Sequence, residues 1–279
     1  MQIKNSKIFV ELKNGFGKFK SILRIENTHE REFAREIKRD KKANMYCNPI
    51  IDIAIVDFKK QKGSFGSFSL AESSVRCLVY NLLLENRPIL NICEFGGGQS
   101  TRFWSVLSSH LSLSVNTYEH DPEWAEYLNS QIQNKRIKIH SCELMQIDEL
   151  SRKMLFSEPY ASINHWKKSA KQVTASQIKD PILKNAFYNI KKDQFPDKQI
   201  DAIVLDGPHG NGRSICFPLF YNFIDKGTII LIDDYFHYPF LDDLGLLFNY
   251  EVIEEKIFNL SKKGYVVLRI LDKVAVIKK

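Results

Sequence analysis

One stretch constrains the fold more than any other: Ile89-Leu90-Asn91-Ile92-Cys93-Glu94-Phe95-Gly96-Gly97-Gly98-Gln99-Ser100-Thr101-Arg102. It opens short and apolar, as a buried parallel strand does. It breaks at three glycines and resumes at Ser100-Thr101, residue types that cap helices. Strand, glycine turn and helix together form the entrance of a Rossmann-like βαβ unit. The glycines permit a sharp turn and a close ligand approach. The free N–H groups of the following helix favour a carboxylate or a phosphate.

A dinucleotide fingerprint requires G-x-G-x-x-G. Gly96 and Gly98 fit it, but Thr101 stands where the third glycine belongs. Glu94 adds negative charge two residues before the first glycine, which suits a ligand bearing an ammonium or sulfonium better than a pyrophosphate. The plain alternative is a tight turn with no ligand. A second acid decides between them. Glu119, in Thr117-Tyr118-Glu119-His120-Asp121-Pro122, lies 23 residues after Gly96. That is close to the spacing of an acid that ends the second strand and accepts ribose hydroxyls. Asp121 and Pro122 read as the N-cap and first residue of a helix over 122–131.

Four motifs in order carry a family resemblance: Glu94-Phe-Gly-Gly-Gly-Gln-Ser, Tyr118-Glu119-His-Asp-Pro, Val204-Leu-Asp206-Gly-Pro and Ile230-Leu-Ile-Asp233-Asp234. Together they resemble class I S-adenosylmethionine-dependent methyltransferases, nearest the catechol-type O-methyltransferase branch, over about residues 70–271. The resemblance implies a Rossmann-like, doubly wound α/β fold. Its sheet has seven mostly parallel strands with an antiparallel C-terminal edge. It implies a domain over 67–279, preceded by an extension over 1–66, with 150–197 as an inserted helical lid. The implied cofactor is S-adenosylmethionine, held by Glu94, Gly96, Gly97, Gly98, Ser100, Glu119, His120, Cys142, Glu143 and Asp206. The His120 ring is placed to stack on adenine, and Cys142 and Glu143 to border it. In the catechol-type relatives an acid after the fourth strand and an acid–amide pair after the fifth hold Mg²⁺. The matching positions are Asp206, Asp233 and Asp234, the last an Asp where those relatives carry Asn. Mg²⁺ or another divalent ion would lower the acceptor's pKa. The alternative is that these acids act without metal. His209 stands where those relatives carry a lysine base, and histidine is a good proton acceptor near neutral pH. His209 and Asp206 are therefore the catalytic candidates, with His237 as the second choice of base.

Composition narrows the setting. The 279 residues suffice for one large domain. The net charge of +7 favours an acidic partner such as nucleic acid or a membrane surface, but the lysines are scattered rather than gathered. Five cysteines, odd in number and without a CxxC pair, suggest reduced thiols in a cytoplasm. Residues 1–20 alternate lysine with apolar residues, so no signal peptide is expected, and no run is long enough to span a bilayer.

Along the chain, residues 7–12 read as a strand, Asn14-Gly15 as a turn, and Asn27 as the cap of a helix reaching residue 42. Residues 49–57 are apolar and β-branched and read as a strand. Three roles stand open for residues 1–60: covering the cofactor, recognising substrate, or forming a homodimer. Ser69-Leu-Ala-Glu72 reads as a capping box before a helix to residue 85, and Ser67 or Phe68 is placed to border the cofactor. A third strand is expected over 136–140. Sixty residues then separate His140 from Asp201, more than one crossover helix needs. Within them lie Tyr160, His165, Trp166, Lys167, Lys168, Phe187 and Tyr188, a set suited to a substrate lid or to a solvated helical insertion. Strands are expected over 199–206, 228–232, 250–258 and 264–271, and a helix over 214–223.

The activity these features favour is methyl transfer to a hydroxyl of a small molecule or glycosidic compound. A nucleic-acid methyltransferase is the alternative, weakened because no Asn/Asp-Pro-Pro-Tyr/Phe signature occurs. A non-catalytic adenosyl-ligand-binding protein and an aminopropyl transferase are the others.

Overall fold

The computed structural model describes residues 35–36, 45–66, 69–178, 183–258 and 263–275. The strand expected at 7–12, the turn at Asn14, the helix capped at Asn27 and the contacts of Ser67 and Phe68 lie outside the described residues.

Helix α1, Pro49–Lys60, corrects a prediction, since this segment was expected to be a strand. Asn48 caps it by accepting from Ile50 N at 2.9 Å, and Pro49 supplies the preset φ of a first helical residue. Ile51, Ala54, Ile55 and Phe58 then fall on one buried stripe. The β-branched residues suggest a strand, but cap and periodicity prevail. Helix α2, Glu72–Leu84, begins after Ala71, not Ser69. Ser69 instead donates to Gly66 O at 2.9 Å, and Glu72 accepts from Arg76 and Lys59, so the capping box does not form.

The core unit follows: β1 Leu90–Phe95, α3 Gln99–Leu107, β2 Leu113–Glu119, α4 Pro122–Gln131 and β3 Ile137–Ser141. Asp121 caps α4 as expected, accepting from Glu123 N and Trp124 N. The long connection contains β4 Leu144–Gln146, α5 Glu149–Ser157, α6 Ser162–Ser169, β5 Lys171–Gln172, α7 Ala175–Ile178 and β6 Ala186–Tyr188. It is only partly helical, because β4, β5 and β6 form a small sheet of their own. Then come β7 Ala202–Leu205, α8 Cys216–Leu219, β8 Ile229–Asp233, α9 Phe240–Gly245, β9 Phe248–Phe258 and β10 Lys263–Lys273. The helix expected over 214–223 is a 3₁₀ turn, Asn211–Ile215, leading into the single turn of α8.

The main sheet has seven strands in the order β3-β2-β1-β7-β8-β10-β9. Pairs β1–β2, β2–β3, β1–β7 and β7–β8 are parallel, and β10 runs antiparallel to β8 and β9. This is the expected Rossmann-like architecture with its antiparallel C-terminal edge.

Both faces of the sheet are covered, which explains the unbroken apolar runs of β7 and β8. Ile92, Val204 and Leu231 face one core with α1, α2 and α3. Cys93, Phe95, Leu205 and Ile232 face the other, together with Leu155, Phe156, Trp166 and Phe187 of the long connection. Arg152 ties that connection to the body by bonding Asp243 and Ser214. The insertion therefore supplies one wall of the core. Among the described residues no helix is long and apolar enough to cross a membrane.

Candidate active site

Strand register assembles the site. Phe95 pairs with Tyr118 on one side and with Leu205 on the other, and Leu205 pairs with Ile232. The next residues, Glu119, Gly96, Asp206 and Asp233, therefore form one row at the carboxyl ends of four adjacent strands. The chain builds outward from β1 to β3, then returns to place β7 on β1's other flank. Such a switch point leaves a crevice where open α/β sheets bind ligands. A cleft of about 270 Å³ lies there. It is lined by Gly96, Gly97, Gly98, Ser100, Glu119 and His120 on the β1–β2 side, and by Asp206, His209, Asp233 and Asp234 on the β7–β8 side.

The β1–β2 side is tightly bonded. Gly96 N donates to Tyr118 O at 3.0 Å, Gly97 N to Glu119 Oε2 at 2.8 Å, and Gly98 N to Thr101 Oγ1 at 2.9 Å. Trp124 Nε1 donates to Gly97 O at 2.8 Å. Gly96 has φ +94°, and a Cβ there would stand 2.9 Å from Gly207 N. Both facts require glycine. Gly98 is different: its backbone is extended and a Cβ would meet no protein atom within 4 Å. Its bare Cα opens onto the cleft.

Glu119 Oε1 accepts from His120 N at 2.7 Å and Asp121 N at 2.9 Å. His120 Nδ1 lies 3.0 Å from the same oxygen, close enough for ionic attraction but off the line of a hydrogen bond. Burial pushes the Glu119 pKa up, but His120 and the donated N–H groups outweigh it, leaving it below the usual carboxylate range.

Glu94 departs from the cofactor-contact expectation. It is 0 % exposed and does not line the cleft. Its carboxylate accepts from Thr101 Oγ1 at 2.6 Å, Trp104 Nε1 at 2.8 Å and Thr117 Oγ1 at 2.8 Å. Burial raises its pKa despite those donors. Glu94 fastens the first turn of α3 to β1 and β2, beneath the glycines. Cys142 and Glu143 also stay off the cleft. Cys142 is buried, with its thiol pKa pushed up to about 12 by desolvation. Glu143 points to solvent.

On the β7–β8 side Asp206 N and Gly207 N both donate to Phe95 O, at 3.0 and 2.7 Å, binding this loop to the glycine turn. Arg213, 5 % exposed, donates from Nε to Pro208 O at 2.8 Å and from Nη1 to Asp233 O at 2.7 Å. It clips the two strand-end loops together. Burial raises the Asp206 pKa, with Arg213 opposing. Burial and then the charges of Asp206 and Asp234 raise Asp233 well above the usual range. Asp234 has a left-handed backbone, φ 49°, uncommon for a residue other than glycine. His209 opens to solvent at the rim. The protein behind its ring still lowers its pKa by desolvation, and Arg213 and His120 lower it further. His237 is exposed and does not line the cleft.

The divalent-ion expectation finds no support. Asp206, Asp233 and Asp234 share the cleft, yet among the described residues no three His, Cys, Asp or Glu side chains are grouped to hold a metal. The positive charge acting on Asp206 and Asp233 comes from Arg213 and Lys263. The donor set does not fit a Mg²⁺ cage of converging oxygens.

Sequence reasoning missed several lining residues: Ser69, Gln99, Arg213 and Lys263. Arg213 ends the glycine-rich loop after β7, and an Arg so placed was the available signal. Tyr188, named within the candidate lid, lines the cleft, whereas Tyr160, His165, Trp166, Lys167, Lys168 and Phe187 do not.

No family model matches the chain, and no curated protein matches its sequence. Solved structures similar in overall path include a precorrin-6y C5,15-methyltransferase from Geobacter metallireducens GS-15, at 12% identity and TM-score 0.39, covering 73% of this chain and 89% of that one. A chain described as a putative caffeoyl-CoA O-methyltransferase from Staphylococcus aureus is 11% identical, with TM-score 0.37, covering 80% and 93%. The N-methyltransferase NodS from Bradyrhizobium japonicum WM9, in complex with S-adenosyl-l-homocysteine, is 9% identical, with TM-score 0.37, covering 88% and 98%.

Proposed function

We propose that the protein is an S-adenosylmethionine-dependent methyltransferase that moves the methyl group to a hydroxyl of a small molecule or sugar. One observation carries this reading: the glycine turn, Glu119, Asp206 and His209 open onto a single cleft at the switch point of the sheet. Glu119 keeps acceptor capacity toward the cleft and suits ribose hydroxyls. Gly98 leaves room for the donor to lie against the main chain, and the start of α3 suits its carboxylate. Methyl transfer is an in-line displacement, so the site must align acceptor oxygen and sulfonium. His209, neutral at pH 7 because its pKa is lowered, accepts the hydroxyl proton as the oxygen attacks. Asp206 holds the acceptor beside it. The insertion, through Tyr188, shapes the acceptor end.

Calorimetry with S-adenosylmethionine and S-adenosylhomocysteine tests the reading. Saturable binding that Gly98→Ala abolishes is the expected result. No binding of either, with binding of a nicotinamide dinucleotide instead, overturns it.

A further inference from the structure

Two polar groups at the acceptor end are left unused by the fold. Tyr188 is 0 % exposed, and Asp234 is partly buried with its Oδ1 out of contact with solvent. Among the described residues neither Tyr188 Oη nor Asp234 Oδ1 has a hydrogen-bond partner, and both residues line the cleft. A buried polar atom without a partner is destabilising, by about 1–3 kcal/mol each on general grounds. Folds retain such groups where something else completes them. The placement is specific. The Tyr188 hydroxyl sits over Gly207, where a Cβ would approach it to 2.5 Å. That puts it near Asp206, and both Glu119 and Asp206 are close enough to act on its phenol. Asp234 is held in its left-handed backbone by its N–H, which donates to Gly264 O at 2.6 Å.

We propose that Tyr188 and Asp234 recognise the acceptor, and that they select one carrying a further hydroxyl besides the one methylated: a polyhydroxylated compound such as a pyranoside. This rests on the methyl-transfer reading above. The chemistry of the two groups narrows the choice. The Asp234 carboxylate calls for a donor. The Tyr188 phenol, kept protonated by burial, has a proton to donate. A substrate ammonium satisfies Asp234 but cannot accept from Tyr188. A carboxylate or phosphate accepts from Tyr188 but, having no proton to give, leaves Asp234 facing a second acceptor. A hydroxyl both donates and accepts, so it completes either residue.

The test uses the full chain saturated with S-adenosylhomocysteine, with methyl gluco-, galacto- and rhamnopyranosides as probes and cyclohexanol as the monohydric control. Calorimetry is expected to show at least one pyranoside binding saturably and cyclohexanol not. Tyr188→Phe and Asp234→Asn should each weaken that binding about tenfold, the effect of one lost hydrogen bond. S-adenosylhomocysteine affinity should stay within twofold. Because neither group has a protein partner, neither variant should melt below the wild type, and Asn suits a left-handed backbone at least as well as Asp. Pyranosides that bind no better than cyclohexanol, or equally well to both variants, overturn the inference. So does a clear fall in melting temperature, which would show a structural role. If wild-type protein fails to bind S-adenosylhomocysteine, the methyltransferase reading itself falls. Failure confined to the pyranoside arms removes only the inference.

Discussion

The two flanks of the cleft are built on opposite plans. On the β1–β2 flank every carboxylate has partners: Glu94 accepts from Thr101, Trp104 and Thr117, and Glu119 from three backbone N–H groups. On the β7–β8 flank three aspartates crowd together, Asp234 has a left-handed backbone, and Asp234 Oδ1 and the nearby Tyr188 Oη lack partners among the described residues. A flank whose carboxylates are fully bonded is rigid before any ligand arrives, which suits a fixed donor molecule. An unsatisfied flank gains most from a ligand that completes it, which suits selection of an acceptor. The contrast teaches where stability and where specificity reside in this site.

The strongest challenge to that contrast is Glu94→Ala. It leaves the Trp104 N–H and two threonine hydroxyls buried without their shared acceptor, and should lower unfolding stability by about 4 kcal/mol in urea titration. A loss below about 1 kcal/mol would mean that the flank is not held as described. His209→Ala comes next. Removing a general base should cut turnover about 100-fold, with S-adenosylmethionine affinity nearly intact by calorimetry. Since the His209 pKa is lowered, wild-type turnover should hold down to pH 6.5, the ordinary histidine value, and fall only below it. An acid limb centred above pH 7 would assign the proton to another group.

The glycines offer a paired test within one turn. Gly96→Ala should lower stability by about 2 kcal/mol, because the residue has φ +94° and no room for a Cβ. Gly98→Ala should leave the melting temperature unchanged while blocking the donor. Equal melting losses in both would refute the assignment of Gly98 to ligand contact.

Two carboxylate substitutions sharpen the electrostatic side. Glu119→Gln should weaken S-adenosylmethionine about tenfold, since a neutral amide is a poorer acceptor. Its folded pKa is lowered, so its charge stabilises the protein above the unfolded value near 4.3. That contribution is lost as pH falls through the folded value. The stability deficit of the variant at pH 7 should therefore shrink below about pH 4. Asp233→Asn has the opposite sign and the smallest size, a gain of about 1 kcal/mol at pH 7. Its folded pKa is raised, so the native state holds the proton more firmly than the unfolded chain, an advantage present in acid and lost as pH rises through the folded value. The variant's gain should vanish toward pH 4. A gain that persists there would point to packing rather than charge.

Much of the frame was legible. Burial on both faces of β7 and β8 follows from their continuous apolar runs. Asp121-Pro122 announced α4 correctly, because capping is local chemistry. Asn48-Pro49 carried the same signal for α1, and the β-branched residues after it obscured the reading. The site was legible in part for a related reason. Gly96, Glu119, Asp206, His209 and Asp233 lie at strand ends that the sequence marks by breaks in apolar runs. Glu94 lies one residue before the strand's last position, and only packing shows that its side chain turns inward.

By itself, then, the sequence determined which segments alternate as strand and helix, and which acids end the strands. Those properties depend on neighbours a few residues away. Tertiary structure alone decided that Glu94 is a buried fastening, that Arg213 stands among the aspartates where an ion was expected, and that Tyr188 of the insertion lines the cleft. Burial, charge compensation and an unpartnered hydroxyl arise between residues far apart in the chain. No local pattern encodes those distances.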